Sequence, residues 1–252
     1  NGYRFFFFCI RNFGLEVAYF CCFFVAGFYL LFLGKQRRAL MSFHQKSFGV
    51  GKVRSFFRAW QTFLNYSISL VDKFGIAIKW RHKFHFKIID DRYIKNLLND
   101  GNGGMLVSGH IGNGEIAGNL INEMITSKIN VLFYKTESQN IQDTLQAETG
   151  MWAFKIIEIK NDLSHLIKIK SAVNNNELIA LHADRMLKGE KCIEINMFGN
   201  TARFPIGPFI MAKKFNVPVL YVFSFKVGYR KYSVEAHKPS SHDLSPEEMC
   251  ME

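Results

Sequence analysis

From residue 81 onwards, short stretches rich in β-branched and aromatic residues alternate with segments of helical spacing. The predicted strands are 84–89, 104–109, 129–134, 154–159, 177–182, 193–198, 217–225 and 231–236. The predicted helices are 90–99, 113–126, 138–149, 161–174 and 205–215. Strands that alternate with helices favour parallel pairing, because each helix carries the chain back along the sheet. The pattern predicts an α/β fold over residues 81–252, with a mixed, largely parallel sheet flanked by helices.

A run of 17 residues without a charged side chain, Val17–Leu33, precedes this region. As a helix it extends about 26 Å, just short of the roughly 30 Å hydrocarbon core of a bilayer. No small-residue cleavage site follows it, which argues against a signal peptide. We interpret the run as an N-terminal membrane-anchor helix, spanning or interfacial, with Lys35, Arg37 and Arg38 at its cytoplasmic end. A buried core helix is the alternative.

Residues 50–80 have a second helical pattern, in which apolar side chains share one face and basic side chains lie largely on the others. The apolar positions are Val53, Phe56, Phe57, Trp60, Phe63 and Leu64. Such a basic amphipathic helix packs either on a protein core or on a membrane surface, and the pattern does not separate the two. Residues 1–80 are therefore expected to form a region made of the membrane anchor and this amphipathic helix.

The positive charge of the chain is concentrated near its N-terminus. The net charge is +11, yet residues 1–88 hold 14 Lys and Arg against two acids, and the remainder is close to neutral. Positive charge beside the most apolar segment favours an anionic membrane surface as partner. Charge alone also allows a nucleic acid, but no nucleic-acid-binding motif is recognisable, and we expect no such partner.

The five cysteines form no recognisable framework. Their number is odd, no CxxC pair occurs, and Cys21 and Cys22 lie within the apolar run. Neither a disulfide scaffold nor a zinc site is predicted, and no metal is expected. The α/β region is expected to work in a reducing compartment.

The stretch "MLVSGHIGNGE" is the strongest candidate for a catalytic site. His110 follows a predicted strand, and open α/β sheets place their ligands at the carboxyl ends of strands. Two glycines allow a tight turn, Asn113 is a good helix N-cap, and Glu115 falls in the first turn of the helix. A carboxylate on one imidazole nitrogen fixes the tautomer and makes the other nitrogen a better base. His110 and Glu115 are thus predicted to deprotonate a hydroxyl without a Ser or Cys nucleophile.

Three other interpretations of this stretch remain open. A histidine in a strand-to-helix turn is often only a hydrogen-bonded loop residue. The glycines also suggest dinucleotide binding, but they do not form GxGxxG, and Lys135 stands after the next strand where an acid is expected. Ser108 is not in a GxSxG turn, which argues against a serine hydrolase.

Two blocks of the sequence resemble one known family. "GGMLVSGHIGNGE" is similar to the H-x-G-N-W-E form of the HxxxxD/E motif in the bacterial lipid A biosynthesis (late) acyltransferases, a branch of the lysophospholipid acyltransferase superfamily. "LIALHADRMLKGEKCIEINMFGNTARFPIGPFIMAKKFNVPVL" is similar to that family's stretch with an Asp at a strand end, a Phe-Gly pair and a Gly-Pro before a helix. The order and separation of the blocks also match, as does an N-terminal anchor. The resemblance covers about residues 5–245.

The resemblance implies roles for individual residues. His110 would be the general base and Glu115 its orienting carboxylate. The substrate-binding candidates are Asn113, Asp184, Arg185, Phe198, Gly199 and Arg203. Arg203 is suited to bidentate hydrogen bonds with a phosphate or with the phosphopantetheine of a carrier. Asp184 and Arg185 end a strand on the same edge of the sheet as His110; a local surface ion pair is the alternative for them.

The chain departs from the family pattern in two places. Gly114 stands where the family often has an aromatic residue, which removes one wall of the expected pocket and points to a change of acceptor. The aromatic-rich C-terminal segment usual in the family is absent. The last residues, "SPEEMCME", have the pattern of a helix that has just begun, so we expect the C-terminus to be truncated.

The resemblance implies a membrane-associated O-acyltransferase. It would move a fatty acyl chain from an acyl thioester to a hydroxyl of a lipid A-type or other glycolipid or lysolipid. The expected donor is acyl carrier protein, with acyl-CoA as the other co-substrate, and no cofactor is expected. The expected location is the cell inner membrane, with the catalytic domain facing the cytoplasm. A non-catalytic, membrane-associated lipid-binding protein of the same fold is the alternative.

Overall fold

A computed structural model gives the fold of the chain. It describes residues 2–99, 103–125, 127–133, 154–159, 162, 164–186, 189–241 and 243–252. The chain forms two compact units. A helical unit comprises Asn1–Lys83 with Asn196–Thr201, and an α/β unit comprises Phe84–Ile195 with Ala202–Glu252.

Four α-helices make up most of the helical unit. They are α1 (Gly2–Phe13), α2 (Leu15–Phe32), α3 (Gly34–Phe48) and α4 (Lys52–Gly75). A π-helical turn and a 3-10 turn continue α4 to Lys83. The two helices expected from the sequence correspond to α2 and α4, whereas α1 and α3 were not predicted. Glycines with positive φ separate the helices: Gly14 (87°) follows α1 and Gly49 (63°) caps α3. A left-handed glycine ends a helix with little steric cost.

Helix α2 buries one stripe of its surface. The buried residues recur every three or four positions: Leu15, Ala18, Cys22, Ala26 and Leu30. Tyr19 donates a hydrogen bond of 2.5 Å to Oδ1 of the fully buried Asp72 on α4. A buried polar pair of this kind restricts the packing of its two helices, because sliding either helix would leave a desolvated carboxyl group behind.

The remaining surface of α2 is apolar and open. Its exposed side chains include Phe20, Phe23, Phe24, Phe28, Leu31 and Phe32. Within the described part of the chain, α2 is the one helix long and apolar enough to cross a membrane, and only 28% of it is buried. A core helix of a soluble protein is mostly buried, so this distribution favours the membrane anchor over the core helix.

The α/β unit is organised around a seven-stranded sheet. Its strands are β1 (His85–Ile89), β2 (Gly104–Ser108), β3 (Ile129–Phe133), β4 (Lys155–Glu158), β5 (Leu178–His182), β8 (Val219–Gly228) and β9 (Lys231–His237). The spatial order is β1-β9-β8-β2-β5-β3-β4, and only β8 and β9 pair antiparallel. The helices are α5 (Asp91–Asn99), α6 (Gly114–Met124), α7 (Ser164–Asn174), α8 (Gly207–Phe215) and α9 (Pro246–Met251). The predicted α/β fold with a mixed, largely parallel sheet is confirmed.

A two-stranded ribbon was only half predicted. Strand β6 (Cys192–Met197) was expected, but its partner β7 (Asn200–Pro205) was not. Phe198 and Gly199 join them with φ of 52° and 72°, as a tight hairpin turn of the I′ kind requires. The predicted helix 138–149 lies outside the described residues.

Strand β2 lies inside the sheet and its apolar residues are buried on both faces. Met105, Leu106 and Val107 are each at most 4% exposed. Both neighbours of β2, which are β5 and β8, run parallel to it. A strand buried in this way has no free face for chemistry, so polar residues are placed just beyond its carboxyl end.

Candidate active site

The register of β2 and β5 brings His110 next to Asp184. Ser108 is paired with His182 in the parallel ladder. The pairing continues past the strands, because the N–H of Ala183 donates to the carbonyl oxygen of Ser108 at 2.8 Å. His110 and Asp184 each lie two residues beyond the Ser108–His182 pair. Two parallel strands that end together thus carry a base and an acid to the same edge of the sheet.

Asp184 holds His110 by two hydrogen bonds. Its Oδ2 accepts from the backbone N–H of His110 at 2.6 Å, and its Oδ1 lies 2.7 Å from Nδ1 of the imidazole. A carboxylate can only accept, so the proton of a neutral imidazole belongs on Nδ1, and Nε2 keeps its lone pair. The side chain of His110 is 41% exposed and that of Asp184 is 27% exposed, which leaves the pair accessible from solvent.

The surroundings of Asp184 favour its ionised form. Burial raises the pKa of this carboxyl group, but the hydrogen bonds from the backbone and side chain of His110, and the charge of His110, together lower it below its ordinary value. The pair is therefore ready to stabilise a positive charge on the imidazole when His110 accepts a proton.

The turn after His110 is fixed by contacts to β8. Gly112 has a φ of 70° and forms an isolated bridge with Ser224. A Cβ at this position would overlap the carbonyl oxygen of Ser224, so only glycine fits. The N–H of Asn113 donates to the same oxygen at 3.0 Å. The loop that carries His110 is thus joined to β5 on one side and to β8 on the other.

Asn113 caps α6 as its sequence position predicts. It is buried, and its side-chain oxygen accepts from the N–H of Ile116 at 3.4 Å. The first N–H groups of a helix have no intrahelical partners and carry partial positive charge, so the start of α6 is suited to negative charge. The substrate-binding role of Asn113 stays a prediction.

The structure does not describe the side chain of Glu115. Its backbone lies in the first turn of α6, as predicted. The predicted His110–Glu115 pair therefore stays a prediction. The carboxylate observed at Nδ1 of His110 is Asp184, which the sequence had placed only along the same cleft. The shared strand edge was the signal that pointed to Asp184, but the neighbour relation of β2 and β5 was needed to find the bond.

His182 is a site residue that sequence reasoning missed. Its ring packs against that of His110, with centroids 4.5 Å apart and planes tilted by 32°. The side chain is exposed to solvent, and the ring of His110 and the backbone of Gly114 lie beside it. Desolvation, followed by the nearby His110, lowers the pKa of His182 although Asp184 opposes this. The side chain is therefore neutral at pH 7.

Three other predicted site residues have different surroundings. Arg185 is exposed. Arg203 on β7 donates from Nε to Oε1 of Glu194 on β6 at 2.9 Å, and both side chains are more than half exposed. Phe198 belongs to the helical unit, where its ring lies 6.2 Å from that of Phe43 and 5.7 Å from that of Phe48 on α3. The substrate contacts expected of these residues and of Gly199 remain predictions.

No group of three or more His, Cys, Asp or Glu side chains is arranged to hold a metal ion, as far as the described ranges extend. The His110–Asp184 pair supplies an activated imidazole. A histidine with a carboxylate at Nδ1 and an accessible ring is suited to take a proton from a hydroxyl and return it to a leaving group.

Comparison with known proteins agrees with this chemistry. No curated protein matches the chain. The family model for bacterial lipid A biosynthesis acyltransferase matches residues 3–251, which is essentially the whole chain. The resemblance found in the two sequence blocks is thereby confirmed. The chain belongs to the bacterial lipid A biosynthesis acyltransferase family, and it is an acyltransferase.

Proposed function

We propose that this acyltransferase moves a fatty acyl chain from an acyl thioester to a hydroxyl of a lipid A-type or other glycolipid or lysolipid. His110 is the general base. The observation that carries the proposal is the pair of hydrogen bonds from His110 to Asp184, which leaves Nε2 as the free basic nitrogen. Acyl carrier protein is the proposed donor, with acyl-CoA as the other candidate.

The reaction proceeds by direct attack on the thioester. Nε2 of His110 takes the hydroxyl proton as the oxygen bonds to the thioester carbon. The tetrahedral intermediate carries its negative charge on the former carbonyl oxygen, and we assign its stabilisation to backbone N–H groups at the start of α6. The C–S bond then breaks, and the imidazolium returns its proton to the sulfur. An ester and a thiol leave, and no acyl-enzyme forms.

We assign the orienting role to Asp184. Its bond to Nδ1 fixes the tautomer that the base needs and stabilises the imidazolium during the reaction. Its bond to the backbone N–H of His110 holds the loop at the same time. Glu115, the carboxylate of the family motif, is the rival for this role, and the two residues are separable by mutation.

The helical unit supplies the proposed membrane attachment. The open apolar surface of α2 and the basic residues that follow it suit a bilayer with anionic lipids. We place the protein in the cell inner membrane, with the α/β unit on the cytoplasmic side, where acyl thioesters are made. The acidic surface of acyl carrier protein is also compatible with a basic partner.

Lipid mass spectrometry of cells with and without the intact gene tests the proposal. We expect one lipid species to lose an ester-linked acyl chain in the deleted strain and to regain it with the wild-type gene. The variant His110→Ala should fail to restore it, because removal of a general base costs about 10²–10⁴-fold in rate. His237→Ala is a matched control, since this exposed histidine lies on β9 and its side chain pairs with Glu235.

An unchanged lipid pattern in the deleted strain would refute the proposal that the protein acylates a glycolipid or lysolipid. Full restoration by His110→Ala would instead refute His110 as the general base. Incubation of the purified full chain with acyl carrier protein thioesters or acyl-CoA then identifies the donor.

A further inference from the structure

The ring of His182 fills the space beside Gly114 at the start of α6. A Cβ built on Gly114 would lie 3.0 Å from Cε1 and 3.5 Å from Nε2 of this ring. Few real Cβ atoms come as close as the first distance, so even alanine requires the ring to shift. Any larger side chain at position 114 starts from the same Cβ, so the His182 ring must shift by at least a few tenths of an ångström to admit it.

The same ring is in contact with the proposed base. The centroids of His182 and His110 are 4.5 Å apart, within the range of packed aromatic rings. His182 thus contacts His110 through its ring face and Gly114 through its edge atoms. Asp184 holds Nδ1 of His110 from the neighbouring strand, but a bond at one nitrogen leaves the ring free to tilt about it.

We propose that His182 is the positioning residue that replaces the aromatic wall missing at position 114, and that it fixes the tilt of the His110 ring toward the acceptor hydroxyl. The proposal rests on the proposed function of His110 as the base. It explains why glycine is needed at position 114: the wall has moved from the helix to the end of β5. Gly114 and His182 are then a matched pair: a side chain added at position 114, or loss of the ring at position 182, is expected to impair the site.

The charge state of His182 is consistent with this role. Crowding by protein atoms and the neighbouring His110 lower its pKa, while Arg185 acts in the same direction and Asp184 against it. A neutral His182 does not repel the imidazolium that His110 becomes during transfer. Its lowered pKa also makes it a weaker proton acceptor than an ordinary imidazole.

A mutant cycle at positions 114 and 182 tests the proposal in the purified full chain. His182→Ala should lower kcat about 10-fold with little change in the KM for the donor, because misplacement of a catalytic group acts on the chemical step. His182→Phe keeps the ring and should stay within about 3-fold of wild type. Gly114→Trp should lose about 30-fold or more, and Gly114→Trp with His182→Ala should recover about 10-fold of that loss.

The proposal fails if His182→Ala keeps the wild-type kcat, if His182→Phe is as impaired as His182→Ala, or if the double variant is no better than Gly114→Trp. His165→Ala on α7 serves as a control histidine. Circular dichroism of each variant shows whether it has folded, and only folded variants are compared. If Gly114→Trp does not fold, the comparison of His182→Ala with His182→Phe still decides the proposal.

A measurement without substrate separates this inference from the proposed function. In NMR spectra of the ¹⁵N-histidine-labelled chain, the Nδ1 proton of His110 is assigned by comparison with His110→Ala. Its exchange with water should become about 10-fold faster in His182→Ala and stay near the wild-type rate in His182→Phe. If His182→Ala leaves the exchange rate unchanged, the positioning role is overturned, whether or not a lipid substrate is acylated. If the exchange rate responds as expected but no acyl transfer is found, the result counts against the proposed function alone.

Discussion

Helix α2 buries every third or fourth side chain and leaves the residues between them open, whereas strand β2 buries both of its faces. The helix exposes apolar side chains over much of its surface and carries no basic residue. The strand exposes nothing apolar, and its chemistry begins where the strand ends, at His110. The difference is consistent with a division of tasks, in which the helical unit offers an apolar surface for membrane binding and the α/β unit offers a localised catalytic site. Changes at the catalytic site should abolish turnover, and changes to the exposed surface of α2 should alter membrane binding.

The largest effect is expected from Asp184→Asn. The amide cannot act as a charged acceptor at Nδ1, and its NH₂ group favours the wrong tautomer, so we expect kcat to fall by about 10²–10⁴-fold. The matched variant Glu115→Gln tests the rival carboxylate of the family motif. Steady-state kinetics of the two purified variants decide between them, and a larger loss in Glu115→Gln would transfer the orienting role to Glu115.

The effect of Asp184→Asn on stability should depend on pH. The pKa of Asp184 is lowered in the folded chain, so its ionised form adds stability above its unfolded pKa of about 4. That contribution is lost as the pH falls through the lower, folded pKa. The melting temperatures of wild type and Asp184→Asn should therefore differ near pH 7 and converge in acid.

Gly112→Ala should reduce both stability and turnover. The new Cβ overlaps the Ser224 carbonyl and the residue must keep a φ of 70°, so we expect a loss of about 2–3 kcal/mol in the free energy of unfolding. Gly189→Ala is the matched control, because Gly189 has a φ of 88° but open space around it. It should lose about 1 kcal/mol and keep its activity. Equal losses, measured by thermal unfolding, would mean that strain rather than the β8 contact fixes the turn.

Exposed aromatic residues on α2 should govern membrane binding without affecting the chemistry. Phe20 and Phe24 are 66% and 60% exposed, and replacing both by Ser should weaken partition to anionic vesicles by about 10-fold or more. Turnover of a detergent-soluble substrate should stay the same. Vesicle co-sedimentation measures the partition, with neutral vesicles as a comparison. A loss of turnover equal to the loss of binding would contradict the proposed division of tasks.

The smallest effect is expected from Tyr19→Phe. The variant removes the donor to the buried Asp72 carboxyl group, and we expect a loss of about 1–3 kcal/mol in the free energy of unfolding. The turnover of the folded fraction should not change. Thermal unfolding in detergent provides the measurement, and an unchanged melting temperature would show that this bond does not stabilise the packing of α2 on α4.

The sequence predicted best the elements whose side chains are sorted by burial. The strands with apolar runs were found for this reason. Helix α4 was found from its period, but it buries residues such as Ser55, Ala59 and Val71, whereas Val53 and Phe57 of the predicted apolar face are exposed. Helix α3 has no buried residue, so it has no apolar stripe to detect. Helix α1 does have a helical period, but four consecutive phenylalanines obscure it in the sequence. Strand β7 is largely polar and exposed, as suits a ribbon outside the main sheet.

For the candidate site, too, the sequence indicated the features that depend on local pattern. A histidine after a buried strand and a helix cap three residues later are local features, and His110 and Asn113 follow from them. The contacts of Asp184 and His182 depend on which strands are neighbours. Strand β5 lies beside β2 although two strands separate them along the chain, and no local pattern records that. The glycine at position 114 departs from the family pattern, but the ring that lies beside it belongs to His182, 68 positions away.

The carboxylate of Asp184 divides its two oxygens between the main chain and the ring of one residue. These two hydrogen bonds require a side chain of the length of aspartate as well as a negative charge. A glutamate is one methylene longer, so it cannot keep both oxygens at these distances unless its own strand end withdraws. Position 184 therefore selects aspartate rather than acidity in general, and a chain with Glu at this position would have a histidine that is either correctly protonated or correctly placed, but not both.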